Sequence, residues 1–433
     1  MPYNNVIATE TNMSPGKIEE SERQELCRSR ALERLHSLEV ALLTGGSDRP
    51  YVFGLTTQLM FKGATLDLLG SDELDFPEFR NQRRLKFLNL RPDLPKNANF
   101  LRKALRVVRY YAKLISYAAT AKPKLFHILW NNKFEHFDRT VLMLYYRLLG
   151  KRIVLTVHNV NAGRRDREDT LLNRFTLRFQ YRLVHHVFVH TKKMKVELIE
   201  HFGVKAARVT VIPFGINNAV PNTSLTPVEA KKRLGIREDE NTILSFGRIT
   251  PYKGLEYLIT AFRRLLVKNP KYRLIIAGKP DRCEDYWASI CKNLCDDVQT
   301  GRVLLRDEFI PDNETEVYFK AADVLVLSYR DIYQSGVLFL GYSFGLPVLA
   351  SDVGSFKDEI LEGRTGFVFR PEDPSDLAVS IERYFASKLF TDLNNRRPKI
   401  REYAMERHSW DIVGQITMSV YESLLRMPTF LKI

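Results

Sequence analysis

Short runs of apolar residues alternate with longer segments of helical spacing from about residue 38 to residue 370. A short unbroken apolar run, such as Val324 to Leu327, is typical of a strand buried on both faces of a parallel sheet. Alternation of such strands with helices predicts parallel α/β sheets. The predicted strands are 38–43, 64–69, 85–90, 126–130, 151–157, 186–189 and 208–212 in the first half, and 242–246, 272–278, 303–305, 324–327 and 348–350 in the second half.

The alternation is interrupted over 216–226, where the sequence INNAVPNTSLT is polar and poor in strand-forming residues. Polar segments of this kind are typical of linkers. We therefore predict a polar extension over 1–37, a first domain over 38–215, a linker over 216–226, a second domain over 227–408 and a C-terminal helix over 409–433. Two successive parallel α/β units predict two doubly wound, Rossmann-like domains that face a cleft.

Two loops of the second half carry groups that suit a phosphate. Arg248 and Lys253 follow a predicted strand, at the carboxyl edge where open α/β sheets bind ligands. Ser335-Gly336 opens a predicted helix, where free N–H groups and the positive end of the helix dipole favour an anion. Two fixed cations opposite such a helix start would hold a diphosphate. For Ser335-Gly336 alone, a plain structural βαβ turn is an equally good interpretation.

Polar residues also follow strands of the first half. Gly45-Gly46 comes after the first strand, and glycines there let the backbone approach a ligand, although a bare loop explains them just as well. His158-Asn159 comes after the strand 151–157, which would hold the histidine rigidly at the edge of the cleft. A structural histidine with satisfied hydrogen bonds is the alternative interpretation of His158.

The net charge of +15 lies in the first half of the chain. Residues 1–220 contain 36 Lys and Arg against 21 Asp and Glu, whereas residues 221–433 contain 30 of each. A basic half beside a neutral half suggests that the first half faces something anionic. A nucleic-acid-binding protein would explain the charge, but no recognition helix, zinc spacing or aromatic sheet motif is present.

The segment 99–124 concentrates seven Lys and Arg and has no acidic residue. It predicts a helix with five apolar residues on one side, namely Leu101, Leu105, Val108, Ala112 and Ile115. A basic helix with interleaved tyrosines can rest on an anionic membrane surface. The solvated face of a packed helix is the alternative.

The remaining composition favours a cytoplasmic protein. No apolar run reaches the ~18 residues of a membrane span, and the N-terminus lacks the apolar core of a signal peptide. Four cysteines in 433 residues form no disulfide framework and fit a reducing compartment. Cys283, Cys291 and Cys295 could share a helix face, but without a nearby histidine core packing explains them better than zinc.

Several motifs occur in a fixed order along the chain. They are TVHNV (156–160), VIPFGI (211–216), GRITPYKGLEYLITAF (247–262), IIAGK (275–279), AADVLVLS (321–328) and GLPVLASDVGSFKDEILEGRTGFVF (345–369). Together they resemble the GT-B glycosyltransferases of family 4. The resemblance is strong over 242–370 and loose before residue 150, and a set of motifs in this order is far more specific than any one of them.

The resemblance implies roles for residues of the second domain. Arg248 and Lys253 match the residues that hold the diphosphate of the donor in that family. Ser335, Gly336 and Val337 match the helix start that meets the same phosphates. The family is metal-independent and retains the anomeric configuration, so the resemblance implies that no metal or other cofactor is needed.

The resemblance also implies roles around the cleft. Gly45 and Gly46 match the first-domain loop that closes over the donor, and Gly247 and Gln334 fall on donor-side loops. His158 matches a histidine near the transferred sugar, which makes it the catalytic candidate. The C-terminal helix is expected to pack back on the first domain.

One departure from the family is evident. Two glutamates commonly stand eight positions apart around the last donor loop, and the second holds the ribose. Here Ile332 and Leu340 occupy these positions. Asp331, one place away, and Asn159 beside the histidine are weaker candidates. Recognition of the ribose must therefore be indirect or come from elsewhere.

The sequence predicts a retaining, metal-independent glycosyltransferase that moves a hexose from a UDP- or GDP-sugar to a saccharide or lipid-linked acceptor in polysaccharide biosynthesis. We expect it in the cytoplasm, with peripheral association to the inner membrane face through 99–124, and without a nucleic-acid partner. A nucleotide-sugar epimerase of GT-B type and a catalytically silent nucleotide-sugar-binding protein are the alternatives.

Overall fold

The structure, a computed structural model, describes residues 38–45, 48–95, 99–166 and 168–426. The predicted extension 1–37 and Gly46 therefore lie outside the described residues. In the first half the strands are β1 (Glu39–Leu43), β2 (Thr65–Ser71), β3 (Leu85–Arg91), β4 (Leu125–Ile128), β5 (Arg152–Val157), β6 (His186–Val189) and β7 (Val209–Val211). The helices there are α1 (Arg49–Phe61), α2 (Phe100–Thr120), α3 (Glu135–Phe137), a π-helical turn (Asp138–Leu142), α4 (Met143–Leu148), α5 (Ala162–Asp166), α6 (Leu171–Leu183) and α7 (Lys192–Phe202).

The second half repeats the alternation. Its strands are β8 (Asn241–Phe246), β9 (Tyr272–Ala277), β10 (Val303–Arg306), β11 (Val324–Leu327), β12 (Val348–Ser351) and β13 (Gly366–Phe369). Its helices are α8 (Pro227–Arg233), α9 (Leu255–Lys268), α10 (Glu284–Gln299), α11 (Asp312–Ala321), α12 (Gly336–Ser343), α13 (Phe356–Glu359), α14 (Pro374–Phe385), α15 (Lys388–Thr391), α16 (Leu393–His408) and α17 (Trp410–Arg426).

All strand pairs in the two sheets are parallel. The first sheet has the order β3-β2-β1-β4-β5-β6-β7, and the second has the order β10-β9-β8-β11-β12-β13. In both sheets the order reverses beside the first strand of the domain, which is the switch point where open α/β sheets bind ligands. The predicted fold class, two doubly wound domains, is confirmed.

The C-terminal helix α17 returns to the first domain, as predicted. Trp410, Val413 and Tyr421 belong to the same buried core as α1 and one face of the first sheet. The Trp410 ring fits against Gly54 and Gly215, where an added Cβ would lie 2.0 and 2.4 Å from the indole. Two glycines therefore make the space in which this helix joins the domains.

The apolar side of α2 faces solvent. Leu101, Leu105 and Val108 are 72%, 44% and 65% exposed, while the buried residues of the helix are Tyr111, Leu114 and Ala118. At 100° per residue, the exposed apolar stripe lies between the buried stripe and a stripe of basic residues. The surface of α2 therefore presents leucine and valine next to Lys and Arg.

Candidate active site

The loop after β8 brings positive charges together around one lysine. Lys253 ends a short 3-10 turn, Pro251–Lys253, and its ammonium lies 5.4 Å from the ring centroid of Tyr329. Burial, with the positive charges of Arg248 and Arg165, lowers the pKa of Lys253 to about 7. Among the described residues no carboxylate forms an ion pair with Lys253. A lysine held in this way is unfavourable unless a bound anion compensates its charge.

The start of α12 faces the same point as Lys253. Gly247 has a φ of +93°, and a Cβ there would lie 3.2 Å from both Lys253 Nζ and Val337 Cγ2. Ser335 is the N-cap residue, but its hydroxyl does not cap the helix. The first turn of α12 therefore presents its N–H groups beside a cation, as an anion site requires.

Arg248 connects the loop after β8 with the first domain. Its side chain is 77% exposed and forms an ion pair of 3.1 Å with Asp281. Burial raises the pKa of the Asp48 carboxyl, and the charge of Arg248 opposes that rise. Because Asp48 caps α1 of the first domain, Arg248 lies where the two domains meet.

The loop after β1 approaches the loop after β4 closely. Gly45 has a φ of +60°, and a Cβ there would lie 2.2 Å from the carbonyl oxygen of Trp130. Only glycine fits such an approach without moving the backbone. Gly45 is therefore required by packing within the first domain, and its role toward a donor stays a prediction.

Strand register brings two histidines together. Val157 at the end of β5 pairs with Val189 at the end of β6, so the next residues lie side by side. His190 donates its Nδ1–H to the carbonyl of Ile212 at 3.3 Å, and its Nε2 lies 3.1 Å from His158 Nδ1. When His190 donates to this carbonyl and both rings are neutral, the shared hydrogen bond assigns the proton of His158 to Nδ1 and leaves Nε2 as an acceptor.

His158 is held between aromatic rings. It stacks on Trp130 with 4.0 Å between ring centroids, and the Tyr51 ring meets it edge-on. Burial, with the nearby His190, holds the pKa of His158 well below its usual range. Its Nε2 has no hydrogen-bond partner among the described residues. The structure therefore presents a neutral, rigid imidazole with an unpartnered acceptor.

Phe214, which follows β7, links His158 with the start of α12. Its ring centroid is 6.2 Å from that of His158, and a Cβ on Gly336 would lie 3.7 Å from the same ring. The sequence-predicted candidates His158, Gly336 and Lys253 are thus brought to one cleft, although they come from different domains.

Two family models together match most of the chain. The model described as "Glycosyltransferase Family 4" matches residues 45–220, and the model described as "Glycosyl transferases group 1" matches residues 228–407. The chain belongs to the GT-B glycosyltransferases of family 4. A relative from Methanocaldococcus jannaschii, named uncharacterized glycosyltransferase MJ1607, is 26% identical over 86% of this chain and 93% of its own length.

Further relatives of this glycosyltransferase match only in part. A D-inositol 3-phosphate glycosyltransferase of Geodermatophilus obscurus is 26% identical over 52% of this chain and 51% of its own length. Among solved structures, Anabaena Alr3699/HepE in complex with UDP and glucose has a TM-score of 0.70 at 16% identity, covering 89% of this chain and 100% of that chain. A sucrose-phosphate synthase of Thermosynechococcus elongatus has a TM-score of 0.69 at 18% identity, covering 90% and 99%. At such identities these structures support the fold.

The positions of the two missing family glutamates are apolar and buried in this glycosyltransferase. Ile332 and Leu340 are each 7% exposed, so neither offers a group to a ligand. Asp331 is exposed and lines a cavity of about 270 Å³ between the domains. Tyr333 lines the same cavity, and its hydroxyl lies 3.0 Å from Glu197 of α7.

Sequence reasoning missed Arg165. Arg165 belongs to α5 of the first domain. Its guanidinium lies 4.3 Å from the ring centroid of Tyr252, on the loop after β8 in the second domain. Its charge acts on Lys253, so it joins Arg248 and Lys253 as a third cation at this point of the cleft. The only sequence signal was the arginine pair Arg164-Arg165 shortly after TVHNV.

Sequence reasoning also missed Asn161. Its backbone N–H donates to the Tyr333 hydroxyl at 3.3 Å, while its side chain accepts a hydrogen bond from Asn173. Asn159, the weaker candidate two residues earlier, is partly buried.

The part of the chain that the structure describes contains no group of three or more His, Cys, Asp or Glu placed to hold a metal ion. Cys283 is buried and Cys295 exposed, so these two cysteines do not share one environment.

Proposed function

We propose that this glycosyltransferase moves a hexose from a UDP- or GDP-sugar to a saccharide or lipid-linked acceptor, with retention of configuration and without a metal ion. The observation that carries the proposal is Lys253, whose neighbours at the cleft are cations and the start of α12. A nucleotide diphosphate supplies the missing negative charge. The UDP found with the fold relative HepE is a ligand of this chemistry.

The cations take over the work that a divalent ion performs in other transferases. As the bond from the sugar C1 to the donor phosphate breaks, negative charge grows on the leaving diphosphate. Arg248, Lys253 and the α12 dipole stabilise this charge, and Arg165 adds a third cation from the first domain. The acceptor oxygen bonds to C1 on the face that the phosphate leaves, and its proton passes to a phosphate oxygen.

His158 fits a role in holding the sugar. Its unpartnered Nε2 accepts a hydrogen bond, and a sugar hydroxyl is a donor of the required kind. Because the ring is neutral, it does not add a fourth positive charge to the site. The Trp130 ring stacked on it keeps the ring in one orientation.

The acceptor is proposed to bind on the first-domain side. The cavity of about 270 Å³ between the domains is lined there by Arg164, Arg165 and Lys193. An acceptor with a phosphate or carboxylate group would suit such a lining. One relative is named D-inositol 3-phosphate glycosyltransferase, and this name includes a phosphorylated compound.

We further propose that α2 places the enzyme on the cytoplasmic face of an anionic membrane. Exposed leucine and valine beside exposed Lys and Arg is the arrangement of an interfacial helix. In the described ranges no helix is both long and apolar enough to cross a bilayer. A lipid-linked acceptor would be reached from this position.

The experiment that tests the donor proposal is a thermal-shift screen of nucleotide sugars. A donor at a hundred times its Kd stabilises the protein by ~2.7 kcal/mol. Replacing Lys253 by Ala removes a charge-assisted contact of about 1.5–3 kcal/mol. The affinity for the donor and kcat/KM should therefore each fall at least about tenfold, and the thermal shift should become smaller. The exposed Lys399 supplies a matched control, since Lys399→Ala should change neither.

Transfer to an added acceptor separates this proposal from its alternatives. An epimerase would release an interconverted nucleotide sugar without an acceptor, and a silent binding protein would neither transfer nor hydrolyse the donor. A Lys253→Ala variant with unchanged kcat/KM would contradict the assignment of the diphosphate site. Activity that persists in excess EDTA is expected, because the three cations replace the metal.

A further inference from the structure

The loop that leads into α12 is held firmly on both sides of Gln334. Before it, the Tyr333 hydroxyl is bound by Glu197 and by the N–H of Asn161 in the first domain. After it, Ser335 is 5% exposed and its hydroxyl lies 3.4 Å from that of Tyr329. The backbone of Gln334 therefore has little freedom to move away from the cleft.

Both polar atoms of the Gln334 amide are buried without a partner. Neither Oε1 nor Nε2 forms a hydrogen bond with any described residue, and both are screened from solvent. Buried side-chain polar atoms are normally paired, so an amide with both ends unpartnered needs an explanation. The residue lies two positions before α12 begins at Gly336, and Val337 in the first turn of that helix lies next to Lys253 at Gly247. A ligand at this site is the natural partner.

The neighbouring positions cannot supply the same group. Ile332 and Leu340, where the family commonly has glutamates, are apolar and buried. The hydroxyl of Tyr333 is already used between the domains. The hydroxyl of Ser335 contacts that of Tyr329, so Gln334 is the side chain on this stretch whose polar atoms are both unused.

The chemistry of the amide selects the kind of ligand. A phosphate only accepts hydrogen bonds, so it could pair with Nε2 but would leave Oε1 unpartnered. A hydroxyl both donates and accepts. Two neighbouring hydroxyls on one ring can therefore satisfy both ends of the amide at once.

We propose that Gln334 holds a pair of neighbouring hydroxyls of the nucleotide-sugar donor and replaces the missing glutamates in doing so. The diol belongs either to the ribose or to the transferred sugar, since both carry neighbouring hydroxyls. The proposal rests on the proposed function, because it requires a nucleotide-sugar donor at this cleft.

The test uses the full chain and two variants. Gln334→Leu keeps the approximate size but removes both hydrogen-bonding ends, whereas Gln334→Glu keeps two acceptors and removes the donor. Affinities for UDP and UDP-glucose, and for GDP and GDP-mannose in parallel, are measured by calorimetry. The exposed Gln299 provides the control Gln299→Leu, which should bind as the wild type does.

The two sources of the diol give different results. If it is the transferred sugar, Gln334→Leu loses at least about tenfold in affinity for the nucleotide sugar and keeps its affinity for the nucleotide alone. If it is the ribose, both ligands lose affinity to the same extent. In either case the ligand-free Gln334→Leu protein melts at the same or a higher temperature, because an unpartnered amide has been removed. Gln334→Glu should lie between Gln334→Leu and the wild type.

Unchanged affinity for every ligand in both variants would overturn the proposal. So would a ligand-free Gln334→Leu protein with a clearly lower melting temperature, because the amide would then have a partner within the protein. A wild-type protein that binds none of the four ligands would instead contradict the proposed function. The two failures are therefore distinguishable.

Discussion

The two domains have the same architecture but place their charge in opposite locations. The first domain belongs to the half that holds the whole excess of +15, yet the histidines at its cleft edge are neutral: His190 is buried and His158 is partly buried. Five of its cations lie on the outer helix α2, whereas Arg164, Arg165 and Lys193 line the cavity between the domains. The second half is neutral in net charge, yet Arg248 and Lys253 stand at its cleft edge.

This contrast fits the roles that we propose for the two sheet edges. An edge that receives a diphosphate needs fixed cations and helix N–H groups. An edge that receives uncharged sugar rings needs neutral hydrogen-bonding groups and aromatic surface. Net charge therefore describes the outer surface of each domain and says little about its part of the site.

The largest expected effect concerns the positive charge on α2, at the outer surface of the first domain. Each Lys or Arg near an anionic bilayer contributes about 1 kcal/mol, so changing Arg102, Arg106 and Arg109 to Glu should lower partitioning to anionic vesicles at least about a hundredfold. Vesicle co-sedimentation at low and high salt measures this, and wild-type binding should weaken as salt screens the charges.

A matched control reverses three exposed lysines of the second domain, Lys232, Lys292 and Lys399. It should leave vesicle binding nearly unchanged. Equal sedimentation with neutral and anionic vesicles would show that the external charge of the first domain has no such role.

The next effect concerns the neutral edge of the cleft. His158→Ala removes the acceptor Nε2 and should lower transfer about tenfold or more, because ~1.4 kcal/mol in the transition state corresponds to tenfold in rate. The variant should fold and bind the nucleotide as before, since the diphosphate site lies in the other domain. Circular dichroism, calorimetry with the nucleotide and a transfer assay measure the three properties.

Normal transfer by His158→Ala would remove the histidine from the reaction. The neutral state of the ring can be tested separately in the wild type. Because its pKa lies well below the usual range, transfer should show no titration of His158 between pH 6 and pH 8.

The smallest effect concerns the cationic edge. With a pKa of about 7, Lys253 of the free enzyme loses its proton as the pH rises, while a bound diphosphate favours the charged form. Binding then takes up a proton, so the affinity for a nucleotide sugar should fall about fivefold from pH 7 to pH 8. Calorimetry in buffers of different ionisation enthalpy measures both the affinity and the proton uptake.

The same shift affects stability with a defined sign. Unfolded Lys253 binds its proton up to about pH 10.5, so the unfolded chain holds more protons than the folded one above pH 7. The charged form of this residue therefore destabilises the ligand-free fold, and this penalty decreases as the pH rises from 7 to 10. Lys253→Arg carries a guanidinium that stays charged, and its affinity should not show the fall between pH 7 and pH 8. An equal fall in both proteins would assign the titration to another group.

Much of the fold was readable along the chain. The apolar runs predicted twelve of the thirteen described strands to within about two residues, because strands buried on both faces leave a direct record in local sequence, but they missed β13 (Gly366–Phe369). The second-domain motifs placed Lys253 and Gly336 correctly on a loop and at a helix start. Such features depend on residues that are neighbours in sequence.

The sequence by itself determined the alternation of elements, the family and the positions of the loops that carry the candidate phosphate-binding groups. Tertiary structure alone decided which groups meet: the pairing of His158 with His190, the approach of Arg165 to Tyr252 across the domains, and the exposure of the apolar side of α2. The unpartnered amide of Gln334 likewise became visible only in space. The physical reason is that burial and pairing depend on contacts between residues far apart in the chain, whereas hydrophobic periodicity records only the local neighbourhood.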